Sequence, residues 1–139
     1  MTQDKVKIGI DFVGPLPHTK QGNQYLLVAT EYLTKWVEVK ATARVDADTV
    51  AKFILEEIIS QHGCPHELIL DQGTHFLNQM IAILLKKMGI KHQLASPYHP
   101  QTNGLTEQFN KTLCEMLARM TKRDKTNWDE MLPMALLSY

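Results

Sequence analysis

A chain of 139 residues, 44% of them hydrophobic, is sized for one domain with a real core. Fifteen Lys and Arg balance fifteen Asp and Glu, so net charge alone excludes strong nonspecific affinity for a polyanion. Cys64 and Cys114 form no C-x-x-C pair, which excludes a four-cysteine zinc site and a disulfide framework, and no apolar run reaches the length of a membrane span.

The polar start Met1-Thr2-Gln3-Asp4-Lys5 lacks the apolar stretch of a signal peptide, and an intracellular setting without a membrane partner is expected. Val6 to Val13 alternates as a strand does, until Gly14, Pro15 and Pro17 break it. A loop continues through Gly22. Tyr25 to Thr30 and Trp36 to Lys40 are rich in β-formers and joined by a short polar link, so the first three strands read as an antiparallel meander. Asp46 or Asp48 can cap a helix in which Val50, Phe53, Ile54 and Ile58 recur at helical spacing and which Gly63-Cys64-Pro65 stops. That helix crosses over to a strand, Glu67 to Leu70, closed by Asp71.

A second helix, Phe76 to Met88, buries Leu77, Ile81 and Leu84 and ends at Gly89. The short strand Ile90 to Leu94 leads into Ala95 to Asn103, where Pro97, Pro100 and Asn103-Gly104 predict an irregular loop. From Gly104 to about Arg123, Leu105, Phe109, Leu113, Leu117 and Met120 form one helical stripe, with Glu107 and Lys111 on another face. Trp128 to Tyr139 begins a last helix containing Pro133. Because the chain stops inside this apolar pattern, truncation of a longer protein at the C-terminal end is expected. Pattern alone implies a mixed α and β domain over residues 1–139.

Three acids stand at the ends of these elements. Asp11 follows the alternation Val6, Ile8, Ile10; Asp71 closes a strand; Glu107 sits early in a helix, with thirty-five residues between it and Asp71. Strands ending in carboxylates, and a helix beginning with one, can gather their oxygens at one sheet edge. Hard cations such as Mg²⁺ require oxygen ligands, and a pair of them can clamp the attacking and leaving oxygens of a phosphodiester.

Three segments carry a resemblance: Ile8-Gly9-Ile10-Asp11-Phe12-Val13-Gly14-Pro15-Leu16, Leu70-Asp71-Gln72-Gly73-Thr74-His75-Phe76, and Ser96-Pro97-Tyr98-His99-Pro100-Gln101-Thr102-Asn103-Gly104-Leu105-Thr106-Glu107. In order and spacing they resemble the D,D-35-E catalytic core of retroviral and LTR-retrotransposon integrases, most closely of the Ty3/gypsy type. The resemblance implies an α/β, RNase H-like fold, a mixed five-stranded sheet flanked by helices. It implies catalytic and metal-ligand roles for Asp11, Asp71 and Glu107, with two Mg²⁺ or Mn²⁺ ions. The implied reaction is nicking of the element's 3′ ends and joining of those ends to target DNA. DNA and a homodimer or higher multimer are the implied partners, the nucleus the implied place of action. The zinc-binding N-terminal and DNA-binding C-terminal domains of the family are expected to be absent from the chain, and Leu70, Glu31 and Gln108 stand where relatives commonly carry serine, aspartate and arginine.

Each signal has a plainer alternative. Lys111 can pair with Glu107 at i,i+4, worth about 0.2–0.5 kcal/mol, or meet a phosphate as the resemblance implies. Asn103 and Tyr98 can be ordinary loop residues or DNA contacts, and Thr74 a helix cap or a target-DNA contact. His62, Cys64 and His66 mimic a zinc cluster, but Gly63 and Pro65 read as a helix stop before a strand. Asn110-Lys111-Thr112 matches a glycosylation sequon, yet lies on a predicted helix. Arg119, Lys122, Arg123 and Lys125 suit a helix end and could also meet DNA. Two rivals to the integrase reading are an RNase H-like nuclease and a domesticated, non-catalytic DNA- or protein-binding module.

Overall fold

The computed structural model describes residues 7–63, 65–70, 86, 89, 91–94 and 100–138. Strand β1 (Lys7–Val13) lies at the centre of a sheet ordered β3-β2-β1-β4-β5, with β2 Tyr25–Glu31, β3 Val37–Thr42, β4 Glu67–Leu70 and β5 Lys91–Leu94. β1, β2 and β3 form the expected antiparallel meander, with Ile8 opposite Glu31 and Tyr25 opposite Thr42. β4 runs parallel to β1, and β5 parallel to β4.

Antiparallel neighbours need only a tight connection. Between β2 and β3, Glu31 builds it: its Oε2 accepts from the Thr34 backbone N–H at 2.6 Å and from the Thr34 hydroxyl at 3.1 Å. Trp36 falls just before β3 rather than inside it, because its carbonyl is used to accept from the Glu31 N–H that closes the turn. Parallel neighbours need a crossover. α1 (Ala47–Phe53) starts it, and Asp46, not Asp48, is its cap, its Oδ1 accepting from the Thr49 N–H at 2.9 Å. The helix widens into a π-helical stretch, Ile54–Ile59, and finishes as α2 (Ser60–His62). Gly63 then takes a φ of +86°, a left-handed conformation that suits glycine, and ends it.

Two cores sandwich the sheet. On one face Ile8, Ile10, Leu27 and Leu68 pack against Val50, Phe53, Ile54 and Ile58 of the crossover. On the other, Leu26 and Val28 meet Phe109, Leu113 and Leu117 of α3 (Pro100–Met120) and Trp128, Leu132 and Ala135 of α4 (Trp128–Ser138). β2 therefore contributes to both, which is why it reads as a continuous apolar run while β1 alternates. A Trp128 indole N–H donated to the Pro17 carbonyl at 2.6 Å ties α4 to the loop after β1.

A second boundary differs from expectation. α3 opens at Pro100, so Gln101, Thr102 and Asn103 are helical rather than the end of a loop. Proline is favoured in the first helical turn, where its missing N–H would have no partner, so Pro100 starts this helix instead of breaking it. Glu107 consequently lies at the end of the second turn. The expected helix Phe76 to Met88, apart from Lys86, and the expected loop residues 95–99 lie outside the described residues. Among the described residues no helix is long and apolar enough to cross a membrane.

Candidate active site

Asp11 is carried by the central strand, two residues before its end, on the face that α3 covers. Its neighbours Ile10 and Phe12 point the other way, into or against the first core. The Asp11 carboxylate is held at both oxygens: Oδ1 accepts from the Phe12 backbone N–H at 2.8 Å, and Oδ2 accepts from Asn110 Nδ2 at 3.2 Å. Half-buried and fixed in this way, it has little rotational freedom left.

The Asn110 contact follows from the stripe on α3. Phe109, Leu113 and Leu117 are buried against the sheet and set the helix's rotation. Asn110, next to Phe109, is thereby turned to the strand that bears Asp11. Glu107 precedes Asn110 by three residues, and residues at i and i+3 are surface neighbours about 5–6 Å apart at Cβ. So the helix face that meets Asp11 is also the face on which Glu107 stands, exposed to solvent.

Lys111 is exposed, and among the described residues neither a hydrogen bond nor an ion pair joins it to Glu107. The i,i+4 pairing that the spacing permits is not formed. Asp71, Thr74 and Tyr98 lie outside the described residues, and Asn103 is placed in the first turn of α3 by its backbone only. The last pair in the described β1–β4 ladder is Ile10 with Leu70, and the residues that follow these two in sequence are Asp11 and Asp71.

The donor chemistry suits a hard divalent cation. Asp11 and Glu107 offer carboxylate oxygens, and Asn110 Oδ1, beside Asp11, is a buried oxygen with no hydrogen-bond partner. Among the described residues no group of three His, Cys, Asp or Glu is gathered. Zinc-type chemistry at His62 is replaced by packing: its ring stacks on Trp36 at 4.0 Å between centroids, and Nε2 lies 3.0 Å from Glu38 Oε1.

Asn110 was not among the candidates from sequence, where it read as part of a sequon. Its one available signal was its place three residues after Glu107, a neighbouring position on a helix. Far along α3, an apolar cleft of about 160 Å³ opens between Leu16, Pro17, Leu117 and Trp128. Cys114 lines it, its thiol pushed above the ordinary value by burial, which makes it a poor nucleophile.

Residues 2–100 match the family model described as integrase core domain. The chain belongs to the integrase core domain family. It is 36% identical over 123 residues to the retrovirus-related Pol polyprotein from transposon 412 of Drosophila melanogaster, an alignment covering 88% of this chain and 10% of that protein. It is 37% identical over 129 residues to the Pol polyprotein of feline endogenous virus ECE1, covering 92% of this chain and 12% of that one. The chain thus spans about a tenth of the length of these curated relatives.

Among solved structures, the catalytic core domain of BIV integrase superposes with a TM-score of 0.73 at 27% identity, covering 97% of this chain and 83% of that one. A simian T-cell lymphotropic virus intasome in complex with the PP2A regulatory subunit B56 gamma gives a TM-score of 0.76 at 21% identity, over 96% of this chain and 48% of that one. This second likeness concerns the fold. With the sheet and its flanking helices it establishes an α/β, RNase H-like integrase-core architecture.

Proposed function

We propose that the chain is the core of a metal-dependent polynucleotidyl transferase that processes the 3′ ends of element DNA and joins them to target DNA. The observation that carries this is the Asp11–Asn110 contact, which seats the Glu107-bearing face of α3 on the strand that ends beside Asp11. Family membership supports it, and so does the place of Asp71, next in sequence after the last described rung of the β1–β4 ladder.

In this reading Asp11, Asp71 and Glu107 hold Mg²⁺ or Mn²⁺, two ions in all, and the bound cations supply an acidified nucleophile and a stabilised leaving oxyanion. The chain's own part is to fix the carboxylates. The Phe12 N–H and Asn110 Nδ2 hold Asp11 in one orientation, and the buried stripe of α3 holds Glu107 at a constant rotation. Lys111, exposed one turn beyond Glu107, is a phosphate contact, and Asn103, Tyr98 and Thr74 are further DNA contacts on the strength of the resemblance. DNA ends and target DNA are the substrates, a homodimer or larger multimer is the working form, and the nucleus is where it acts.

The test is resealing of a labelled branched DNA that mimics the joined product, which supplies the proximity a larger assembly would otherwise provide. Asp11→Asn, Asp71→Asn and Glu107→Gln each abolish Mn²⁺- or Mg²⁺-dependent resealing with thermal melting unchanged. Activity retained with unchanged metal dependence removes the role from that residue. Hydrolysis of RNA–DNA hybrids without joining would favour the nuclease instead.

A further inference from the structure

The proposed chemistry makes no use of the apolar cleft of about 160 Å³ that α3, the loop after β1 and the start of α4 line together. Cys114, Leu117, Ala118 and Thr121 recur at the i, i+3, i+4, i+7 spacing of one helical face, and the smallness of Cys114 and Ala118 hollows that face where bulkier side chains would fill it. The facing wall is pinned. Leu16 donates its backbone N–H to the Gln24 carbonyl at 2.7 Å, Lys20 donates its own to the Thr126 carbonyl at 3.0 Å, and the Trp128 indole holds the Pro17 carbonyl. The cleft is therefore formed before any ligand arrives.

Most of its polar groups are already spent. The Thr121 hydroxyl donates to the Leu117 carbonyl at 2.7 Å, and the Trp128 N–H is committed to Pro17. Lys125 is the exception: it lines the cleft, is exposed, and enters no ion pair among the described residues. The chain around it is basic. From Ala118 to Asn127 the sequence holds Arg119, Lys122, Arg123 and Lys125 against Asp124 alone, and that carboxylate is taken by the Thr126 N–H at 3.0 Å and by Lys20 Nζ at 3.5 Å. Arg119 suits the dipole at the end of α3, but Lys122, Arg123 and Lys125 follow that end. In a chain of zero net charge, this local excess of cations complements an acidic partner.

Size decides what enters. Drug-sized ligands fill about 300–1,000 Å³, whereas an apolar cavity of about 150 Å³ accepts a single benzene ring. The occupant is therefore one side chain anchored from a larger molecule. A nucleobase fits poorly, because its ring nitrogens and carbonyls would be buried against walls whose donors are already used. A phenyl ring needs no such partners.

We propose that the cleft is a docking site for an acidic peptide segment of a partner protein, which seats one aromatic side chain between Leu16, Leu117 and Trp128 and sets a neighbouring carboxylate on Lys125. The site shares no residue with the proposed metal chemistry or with its DNA contacts, so it stands or falls separately from that reading.

The experiment measures fluorescence anisotropy of a labelled, capped peptide, Asp-Glu-Phe-Glu-Asp, on the full chain at low salt. Binding saturates, and alanine in place of the peptide's phenylalanine weakens it about tenfold, as loss of a buried anchor does. Lys125→Glu weakens it by about the same factor, through loss of the attracting charge. Ala118→Phe, at an exposed helical position, fills the cleft and abolishes binding with melting unchanged, while Asp11→Asn binds as wild type does. Because Cys114 lines the cleft, bound peptide also slows its alkylation by N-ethylmaleimide, located by the mass of the Cys114 fragment. No saturation by about 1 mM peptide, equal binding of the alanine peptide, or undiminished alkylation of Cys114 each overturns the inference. A single-stranded oligonucleotide that protects Cys114 where the peptide does not would assign the cleft to a base and overturn it too.

Discussion

Replacing Asn110 by alanine separates the energetics of folding from those of the site. Two effects on stability oppose each other. The variant loses the Nδ2 contact to Asp11 Oδ2, but it also removes a buried Oδ1 that has no partner. A hydrogen bond to a charged group contributes about 1.5–3 kcal/mol, and a buried unsatisfied acceptor costs about 1–3 kcal/mol. At 3.2 Å the contact is longer than the usual charge-assisted range, which places its worth near the lower bound. The two therefore cancel to within about 1 kcal/mol, or about 3–5 °C in melting temperature for a domain of this size. The site has no such offset, because the variant removes the Nδ2 donor to Oδ2 and puts no donor in its place. A loss of about 1.4 kcal/mol in orienting Asp11 is a tenfold loss of Mn²⁺ affinity. Thermal melting and Mn²⁺ titration on the same preparation measure both. A melting point lowered by ten degrees with Mn²⁺ affinity unchanged would refute the reasoning, since it would make Asn110 a structural residue and nothing more.

Asp46→Ala removes the α1 cap and costs about 1 kcal/mol near neutral pH, read by denaturant melting. The hydroxyl and backbone N–H of Thr49 hold the Asp46 carboxyl below its ordinary value, so the wild type's advantage is present above that value and fades as pH falls through the lowered one. An advantage that persists in strong acid would show that the cap acts by some other means. Leu113→Ala, at a fully buried position between α3 and β2, costs about 2–5 kcal/mol and is measurable as a shift in urea midpoint. A loss below about 1 kcal/mol would mean that α3 does not depend on this core.

Much of the fold was legible because its signals are local. The alternation of β1, the Gly14-Pro15 break, the spacing of Val50, Phe53, Ile54 and Ile58, and the glycine stop at Gly63 all depend on neighbours within a few residues. Asp46 and Asp48 could not be separated by pattern, since both fall at the helix start; the bond to Thr49 makes Asp46 the cap and leaves Asp48 in the first turn. The start of α3 was misplaced because proline and Asn-Gly signal breaks in general, while Pro100 happens to occupy the one helical position that tolerates it. Asp11, Asp71 and Glu107 stood out by resemblance, but the partner of Asp11 on the helix did not. Asn110 reaches it across ninety-nine residues of sequence, once α3 has packed on the sheet.

That dependence explains how a charge-neutral chain can build a precise polar site. The rotation of α3 is set by apolar residues: Phe109, Leu113 and Leu117 must face Leu26 and Val28 to leave water. Successive helical residues are about 100° apart, so once Phe109 is buried, Asn110 has one direction available and Glu107 another. Slipping the helix by one residue would expose Phe109, bury Asn110 in hydrocarbon and break its contact with Asp11. The hydrophobic effect thus selects the one rotation in which Asn110 meets Asp11, at no separate cost in specificity. On the strand side the same logic holds, because burying Ile8 and Ile10 against the crossover helix forces Asp11 to the opposite face, where Asn110 of α3 meets it.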